Sequence, residues 1–256
     1  MKSVDLNCDL GESFGAYKIG RDEDVLPLIS SANIACGWHA GDAVVMSRTV
    51  KTAAEAGVAV GSHPGFPDLV GFGRRNMNVT PLEAKAYVQY QMGALNAFCM
   101  ANGVKLQHVK PHGALYNMAA KDEMLATAIC EGIASVSEDV ILLGLSGSAM
   151  ETAAAKCSIK FASEVFADRA YEEDGTLVAR SKPGAVITDE NEAANRVVEM
   201  ISNGTVTSVS GRKISIKADS ICVHGDNEHA LEFVKLIRAK LYENGIHIKP
   251  IGEVIG

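Results

Sequence analysis

The 256-residue sequence lacks the features of several large protein classes. It has no run of basic residues and carries a formal net charge of −7, which argues against nucleic acid as a partner. It has no apolar run near the ~20 residues that a membrane-spanning helix needs. Its opening residues, MKSVDLNCDLGE, turn acidic too soon for a signal peptide. We therefore expect a cytoplasmic protein that binds neither nucleic acid nor membranes.

Paired cysteines and several catalytic motifs are also missing. The six cysteines stand singly without a C-x-x-C pair, which favours reduced thiols over a disulfide framework or a structural zinc site. The stretch GLSGS at 144–148 is not the G-x-S-x-G elbow of a serine hydrolase. No Walker-type or dinucleotide-binding glycine loop follows a predicted strand, so the chain shows no nucleotide site of its own.

What the sequence does contain is a regular alternation of short apolar segments and longer amphipathic ones. With 47% hydrophobic residues and no linker, the chain is predicted to form a single domain over residues 1–256. The predicted strands are 3–8, 31–36, 58–62, 106–110, 140–145, 159–164 and 220–224. The predicted helices are 41–56, 80–102, 121–135, 147–156, 188–203 and 228–244.

This alternation predicts an α/β fold with a parallel sheet and helices outside it. Seven strands in a chain of this length favour a closed or nearly closed barrel, with a doubly wound open sheet as the alternative. The segment 204–218 alternates β-branched and polar residues around SGRK, which predicts a β-hairpin before the last core strand.

Polar side chains gather at the carboxyl ends of the predicted strands, where parallel α/β folds place their sites. Because side chains alternate along a strand, Asp5, Asn7 and Asp9 are expected to share one face. The other candidates at strand ends are Glu12, His39, His63, Asp68, Arg74, Arg75, Lys110, His112, Tyr116, Glu164, Asp168, Arg169, His224 and Asp226.

Two chemistries are open for this set. A divalent metal would bind among Asp5, Asp9, His39, His63, His112 and His224, although no H-E-x-x-H or similar spacing specifies it. Alternatively, the same groups form a metal-free acid/base set, with Lys110 and Arg75 holding an anion.

The stretch NIACGWHAGD at 33–42 holds the single tryptophan of the chain. Its glycines allow a sharp turn, and Asp42 stands where the N-cap of the next helix belongs. We interpret the stretch as the rim of a pocket that Trp38 walls and His39 enters.

Six segments together resemble the LamB/YcsF family: DLNCDLGESFG, NIACGWHAGD, GSHPGFPDLVGFGRR, KPHGALYN, EVFADRAYEEDGTLVAR and CVHGD. They occur in order from residue 5 to about residue 226, and each lies at the end of a predicted strand.

The resemblance implies a distorted seven-stranded (β/α) barrel related to the glycoside hydrolase/deacetylase group. It also implies a subunit of an ATP-dependent 5-oxoprolinase, a hydrolase that opens the lactam of 5-oxo-L-proline to L-glutamate. ATP would be a co-substrate of the whole complex, and separate B and C subunits would be the partners.

On this basis the catalytic residues are predicted to be Asp9, His39, His63, Lys110 and His112. Asp9 or His63 would be the base, and His112 or His39 would protonate the ring nitrogen. The predicted substrate-binding residues are Asp5, Asn7, Glu12, Arg75, Tyr116, Glu164, Asp168, Arg169, His224 and Asp226. Two alternatives remain: a non-catalytic subunit that binds or channels a small acid, and a metal-dependent deacetylase.

Overall fold

The computed structural model describes residues 2–179, 181–225 and 228–256. Its strands are β1 (Ser3–Leu10), β2 (Ser31–Ala35), β3 (Ala59–His63), β4 (Leu106–Val109), β5 (Ile141–Leu145), β6 (Phe161–Phe166), β7 (Thr205–Thr207), β8 (Lys213–Ser215), β9 (Ser220–Val223) and β10 (His247–Ile248). Its helices are α1 (Asp22–Val25), α2 (Ala43–Glu55), α3 (Pro81–Ala101), α4 (Gly113–Ala119), α5 (Glu123–Val136), α6 (Ala149–Lys156), α7 (Glu190–Asn203), α8 (Glu228–Glu243) and α9 (Ile251–Val254). A 3₁₀ turn at Leu26–Leu28 follows α1.

Seven parallel strands form a closed barrel in the order β1-β2-β3-β4-β5-β6-β9. The barrel closes where β9 pairs with β1, in the register Asp5↔Ser220 to Cys8↔Val223. The closed barrel predicted from the strand count is thus confirmed, and the open doubly wound sheet is wrong. The hairpin expected within 204–218 is also confirmed, as the antiparallel pair β7–β8.

The predicted strands and long helices all form, and each boundary lies within two residues of its predicted position. Local signals explain this accuracy at α2 and α3. The Asp42 carboxylate accepts from the backbone N–H groups of Val44 and Val45, which caps α2. Thr80 and Glu83 form a reciprocal capping box at the start of α3.

The two faces of β1 separate the apolar core from a polar barrel interior. Leu6 and Leu10 are buried in the main apolar cluster, together with helix residues such as Val50 and Leu95. The alternating residues of the same strand face the opposite way, into the barrel.

The end of the barrel at the amino ends of its strands is filled by the last segment of the chain. β10 pairs with the start of β1, and α9 then brings Ile251 against Ile141, Leu143 and Ala162. This apolar plug leaves the other end of the barrel, where the strands finish, as the place for a site. Within the described ranges, none of the helices combines the length and the apolar character that a membrane span requires.

Candidate functional site

Asp5 lies on the same face of β1 as Asn7 and Asp9 but nearer the amino end of the strand, and its carboxylate is completely buried. Ser30 and Ser31 donate to its Oδ1 at 2.6 and 2.7 Å, and Ser220 donates to Oδ2. Burial raises the pKa of Asp5 to about 6, although the three hydroxyl donors act in the opposite direction. Asp5 therefore supports the site from below.

Two asparagines connect this level to the next one. Asn7 donates from Nδ2 to Ser220 Oγ at 2.8 Å, and its Oδ1 accepts from Asn33 Nδ2 at 2.7 Å. Asn33 also donates to Asp9 Oδ1 at 2.8 Å and accepts from His108 Nε2 at 2.8 Å. Because both amides are fully buried and bonded on several sides, their orientations are fixed.

Lys110 is the charged centre of the interior and is only 3% exposed. Its Nζ lies 2.8 Å from Glu164 Oε1 and 3.1 Å from Asp9 Oδ1, and it donates to Asn7 Oδ1 at 3.1 Å. Burial alone would lower the pKa of the Lys110 ammonium, but the charges of Asp9 and Glu164 raise it well above the ordinary value. The ammonium therefore stays charged and balances two carboxylates of its own protein.

Asp9 stands between this ammonium and a histidine. Its Oδ2 lies 3.3 Å from His63 Nε2. Burial opposes ionisation, but His63 and Lys110 hold the pKa of Asp9 well below its usual range. Asp9 is thus an ionised carboxylate whose side chain is partly open to the pocket, which is what a base or an electrostatic anchor needs.

Three histidines meet above Asp9, at the ends of β2, β3 and β4. The rings of His39 and His112 stack in parallel with 3.7 Å between their centroids, and His63 Nε2 lies 2.9 Å from His112 Nδ1. Glu12 Oε1 lies 3.5 Å from His39 Nε2 and 3.8 Å from His112 Nδ1. We call Glu12, His39, His63 and His112 the histidine cluster.

The histidine cluster holds neutral imidazoles at its centre. Burial and the neighbouring histidines keep the pKa of His39 well below its ordinary value. Burial, together with the charge of His63, lowers the pKa of His112 to about 3. A neutral imidazole offers one lone pair, so these rings can accept a proton or bind a metal.

Glu164 forms the opposite side of the charged centre. It is fully buried, and Tyr116 donates its hydroxyl to Glu164 Oε2 at 2.7 Å. Burial, followed by the charge of Glu164, raises the pKa of Tyr116 well above its ordinary value. Tyr116 is therefore a protonated hydrogen-bond donor that is already engaged with Glu164.

A pocket of about 450 Å³ opens above these groups, a volume typical of small-molecule sites. The charged and polar residues that line it are Asp9, Glu12, Arg74, His112, Asp168, Thr188, Glu190, Cys222, His224 and His229. Apolar side chains, including Phe72, Val186 and Phe233, form much of the remaining wall.

Most of the predicted site residues come together, at different depths. Asp9, Glu12, His112, Asp168 and His224 line the pocket. His39, His63, Lys110, Tyr116 and Glu164 lie among the buried side chains that contact the lining residues or one another. Asp5 and Asn7 lie below them.

The two predicted arginines lie elsewhere. Arg75 forms an ion pair with Asp68, and its side chain is 65% exposed. Arg169 donates to the backbone carbonyl groups of Val178 and Ala185. The structure thus places neither guanidinium in the pocket. Asp226 lies outside the described residues.

The interpretation of Trp38 as a pocket wall is wrong. Its ring packs against Tyr87 and Tyr90 of α3, with centroid distances of 4.8 and 5.3 Å. Trp38 therefore anchors the turn after β2 to a helix, while the next residue, His39, enters the site. The N-cap role of Asp42 is confirmed.

Sequence reasoning named Arg74 as a candidate but gave it no role, and it overlooked Asn33 and Cys222. Arg74 lines the pocket, and its guanidinium lies 4.9 Å above the ring of Phe72. Asn33 and Cys222 both face the interior, where Cys222 Sγ lies 3.3 Å from Lys110 Nζ. The alternation that selected Asp5, Asn7 and Asp9 would have found Asn33 and Cys222 if applied to β2 and β9.

Comparison with known proteins agrees with this architecture along the whole chain. The model of the LamB/YcsF family matches residues 4–256. The chain is 65% identical over 254 residues to a protein of Clostridium beijerinckii named as the A subunit of 5-oxoprolinase, covering 99% of this chain and all of that protein.

Solved structures give the same relationship. The chain resembles the crystal structure of the lactam utilization protein from Thermus thermophilus, with a TM-score of 0.92 and 44% identity over 97% of this chain and 99% of that one. A structure named T48 deacetylase with substrate shares the fold alone, with a TM-score of 0.50 and 17% identity over 99% of this chain and 90% of that one. The barrel and the match over nearly its full length together show that the chain belongs to the LamB/YcsF family.

Proposed function

We propose that this chain is the A subunit of an ATP-dependent 5-oxoprolinase, which opens the lactam of 5-oxo-L-proline to L-glutamate. The observation that carries the proposal is the likeness over nearly the full length to proteins named as the A subunit of 5-oxoprolinase. The pocket supports it, because its volume suits a small cyclic acid and its floor carries ionised and neutral proton-transfer groups side by side.

The chemistry requires ATP because the lactam amide is stable and its hydrolysis is uphill. In the proposed reaction, ATP transfers its terminal phosphoryl group to the lactam oxygen and ADP leaves. Water then adds to the ring carbon, the carbon–nitrogen bond breaks and the nitrogen takes a proton. A second water releases phosphate, so that 5-oxoproline, ATP and two waters give glutamate, ADP and phosphate.

The geometry supports a division of labour among the catalytic candidates. Asp9 is ionised and lines the pocket beside His63, so this pair is the proposed base for the attacking water. His112 also lines the pocket and is the proposed carrier of the proton for the ring nitrogen. Lys110 positions Asp9 through its ion pair.

The residue that we propose for binding the anionic group of the substrate is neither Lys110 nor Arg75, the two predicted from the sequence. Arg75 and Lys110 are both engaged with carboxylates of the protein, whereas Arg74 lines the pocket. We therefore assign the carboxylate or phosphate contact to Arg74, which stacks on Phe72 at the pocket rim.

Activation by ATP is assigned to partner subunits, because the sequence has no phosphate-binding loop. The relatives are named as A subunits, which implies further subunits. We propose B and C subunits as the partners and the cytoplasm as the location, where single reduced cysteines are the rule.

The test is glutamate formation from 5-oxoproline, with this chain alone and with purified B and C subunits, each with and without ATP. Glutamate is expected only in the complete mixture with ATP. In that mixture, His112→Ala is expected to lower kcat by at least ~10². A raised KM with an unchanged kcat would instead indicate a subunit that only binds the substrate. No glutamate from an assembled complex would refute the proposal.

A further inference from the structure

The histidine cluster presents more nitrogen lone pairs than the protein can satisfy. Its four potential ligand atoms, one from each side chain, all lie within 4.8 Å of one another. They come from four separate segments, the loop after β1 and the ends of β2, β3 and β4. Convergence of this kind needs a ligand to stabilise it, because buried polar atoms without partners are costly.

Backbone contacts fix the outer nitrogen of two rings. His63 Nδ1 lies 2.7 Å from the carbonyl oxygen of Lys110, and His112 Nε2 lies 2.9 Å from that of Phe72. A carbonyl oxygen only accepts, so each of these ring nitrogens carries the hydrogen. In neutral rings, the inner nitrogens, His63 Nε2 and His112 Nδ1, then carry lone pairs.

These two lone-pair nitrogens face each other at 2.9 Å. Two lone pairs repel at that distance, so a positive species, either a proton or a metal cation, must lie at this contact. The other two members of the cluster distinguish these possibilities.

His39 adds a third nitrogen for which no proton donor is present. Its side chain is completely buried, and within the described ranges neither ring nitrogen has a hydrogen-bond partner. His39 Nε2 points toward Glu12 Oε1, 3.5 Å away. One proton between His63 and His112 would leave His39 unsatisfied, whereas a multivalent cation can bind all three nitrogens and the carboxylate.

The charge balance favours a cation as well. Among the described residues around the cluster, the three carboxylates of Asp9, Glu12 and Glu164 face two side-chain cations, the ammonium of Lys110 and the guanidinium of Arg74. A bound cation offsets the remaining excess of negative charge. Buried charges of one sign are stable only when such a partner is present.

We infer that the histidine cluster binds one divalent transition-metal ion through His39, His63, His112 and Glu12. Imidazole nitrogen with a single carboxylate is a donor set that suits Zn²⁺ and its first-row neighbours. Tetrahedral ligand atoms at about 2.1 Å from zinc lie roughly 3.4 Å apart. Three separations within the cluster, 2.9, 3.5 and 3.8 Å, fall around that value. The rings of His39 and His112 are stacked and nearly parallel, so one of them must rotate for both lone pairs to point at the same ion.

This site borders the pocket, since Glu12 and His112 belong to its lining. A bound divalent ion can polarise a carbonyl oxygen or lower the pKa of a water ligand, which are both useful for opening an amide. The metal site goes beyond the proposed function and changes one part of it. An ion held by His63 and His112 takes the lone pairs that the proton-transfer roles given to these rings require, so in the metal-bound protein both histidines act as ligands and Asp9 remains as the base.

The experiment measures metal binding to the full chain without substrate, ATP or partners. The protein is stripped with a chelator, titrated with Zn²⁺ by calorimetry, and analysed for bound metal after dialysis. One equivalent per chain with submicromolar affinity is expected. Substitution by Co²⁺ should give the intense visible absorption of a nitrogen-rich site with low coordination number.

Variants locate the ion. Glu12→Gln and the double variant His39→Ala/His112→Ala are expected to weaken Zn²⁺ binding by at least ~100-fold. His229→Ala, which removes an exposed histidine of the same pocket outside the cluster, should bind like the wild type. Circular dichroism shows whether each variant is folded, and Glu12→Gln keeps the side-chain shape.

Absence of stoichiometric binding by the folded wild type would overturn the inference. So would unchanged binding in Glu12→Gln together with the folded double variant, because the ion would then lie elsewhere. Since no turnover is measured, either result leaves the glutamate assay as a separate test of the proposed function.

Discussion

Lys110 illustrates how one side chain can stabilise the fold and the site together. Its ammonium is enclosed by Asp9, Glu164 and Asn7 in a region from which water is nearly excluded. Removing one partner of a buried ion pair leaves the other charge uncompensated, which typically costs about 3–5 kcal/mol.

We therefore expect Lys110→Met to lower the free energy of unfolding by about 3–5 kcal/mol in urea titrations. The double variant Lys110→Met/Glu164→Gln should recover much of that loss, because the buried carboxylate of Glu164 is gone as well. A single variant within about 1 kcal/mol of the wild type would show that the pair does not behave as a buried ion pair.

Asp5 should give the stability a distinctive pH dependence. Its pKa is about 6 in the folded protein, whereas an unperturbed aspartate, as in the unfolded chain, has a pKa of 3.8. Between these values the folded state keeps a proton that the unfolded state has lost, so raising the pH weakens the fold.

Relative to the wild type, Asp5→Asn should gain stability on the order of 2 kcal/mol between pH 4 and pH 6. Urea titrations across this range test the difference. The exposed acid Asp139 offers a control, because the difference in unfolding free energy between Asp139→Asn and the wild type should stay constant across this pH range. A constant difference between Asp5→Asn and the wild type would contradict the raised pKa.

At the residue scale, strand periodicity explains what the sequence could predict. The alternation of Asp5, Asn7 and Asp9 on β1 follows directly from strand geometry, so their common face is foreseeable. Arg74 and Arg75 follow a loop in which Phe72 adopts a φ of +54°. A loop has no regular repeat, so the sequence does not predict which way its side chains point. The choice between these two arginines therefore depends on tertiary contacts with Phe72 and Asp68.

At the scale of elements, β3 must pass close to β4 in the crowded interior. A Cβ at Gly61 would overlap the ring of His108, and this ring cannot move freely because it donates to Asn33. Gly93 on α3 has nothing within 4 Å of the same position. The packing therefore requires a glycine at position 61, whereas position 93 has room for a side chain.

Gly61→Ala is expected to lower the free energy of unfolding by at least about 1–3 kcal/mol through overpacking. Gly93→Ala should raise it by about 0.5–1 kcal/mol, because alanine loses less entropy in a helix. Parallel urea titrations of the two variants measure both. Equal effects would show that the contact with His108 does not control the cost.

The long elements were predictable because their signals are local, as with the capping box of Thr80 and Glu83. The short elements α1, α4, α9 and β10 were not predicted. A helix of four residues cannot stabilise itself through its own hydrogen bonds, so tertiary packing decides whether it forms.

At the scale of the whole molecule, the two ends of the barrel have opposite chemistry. Ile251 seals one end against Ile141 and Leu143, while the ionised residues occupy the other. The plug comes from the last residues of the chain and completes the barrel interior.

Ile251→Ala should lower the free energy of unfolding by about 2–5 kcal/mol, since the side chain is fully buried and leaves a cavity. Val254→Ala, which shortens a half-buried neighbour, should cost clearly less. Thermal and urea unfolding of both variants provide the comparison. Equal losses would mean that Ile251 does not act as the plug.

Closure of the barrel could be favoured from the number of strands, but hydrophobic periodicity does not encode it. The seven strands and their order follow from alternation of elements along the chain. Whether the last strand meets the first depends on the twist and stagger of the whole sheet. Asp5 and Asn7 of β1 contact Ser220 of β9 where the barrel closes, but no local sequence motif predicts this closure.

Because β1 pairs with β9, the barrel cannot close on a ribosome until most of the chain has been synthesised. Asn7 and Ser220 are 213 residues apart, so a ribosome adding 5–20 residues per second makes the second roughly 10–40 s after the first. Until then β1 has an unpaired edge that can join another strand, and the pocket lacks the wall that Cys222 and Val223 provide. A chain interrupted before Ser220 therefore has no partly working site, and binding competence arrives only once the last barrel strand has been synthesised.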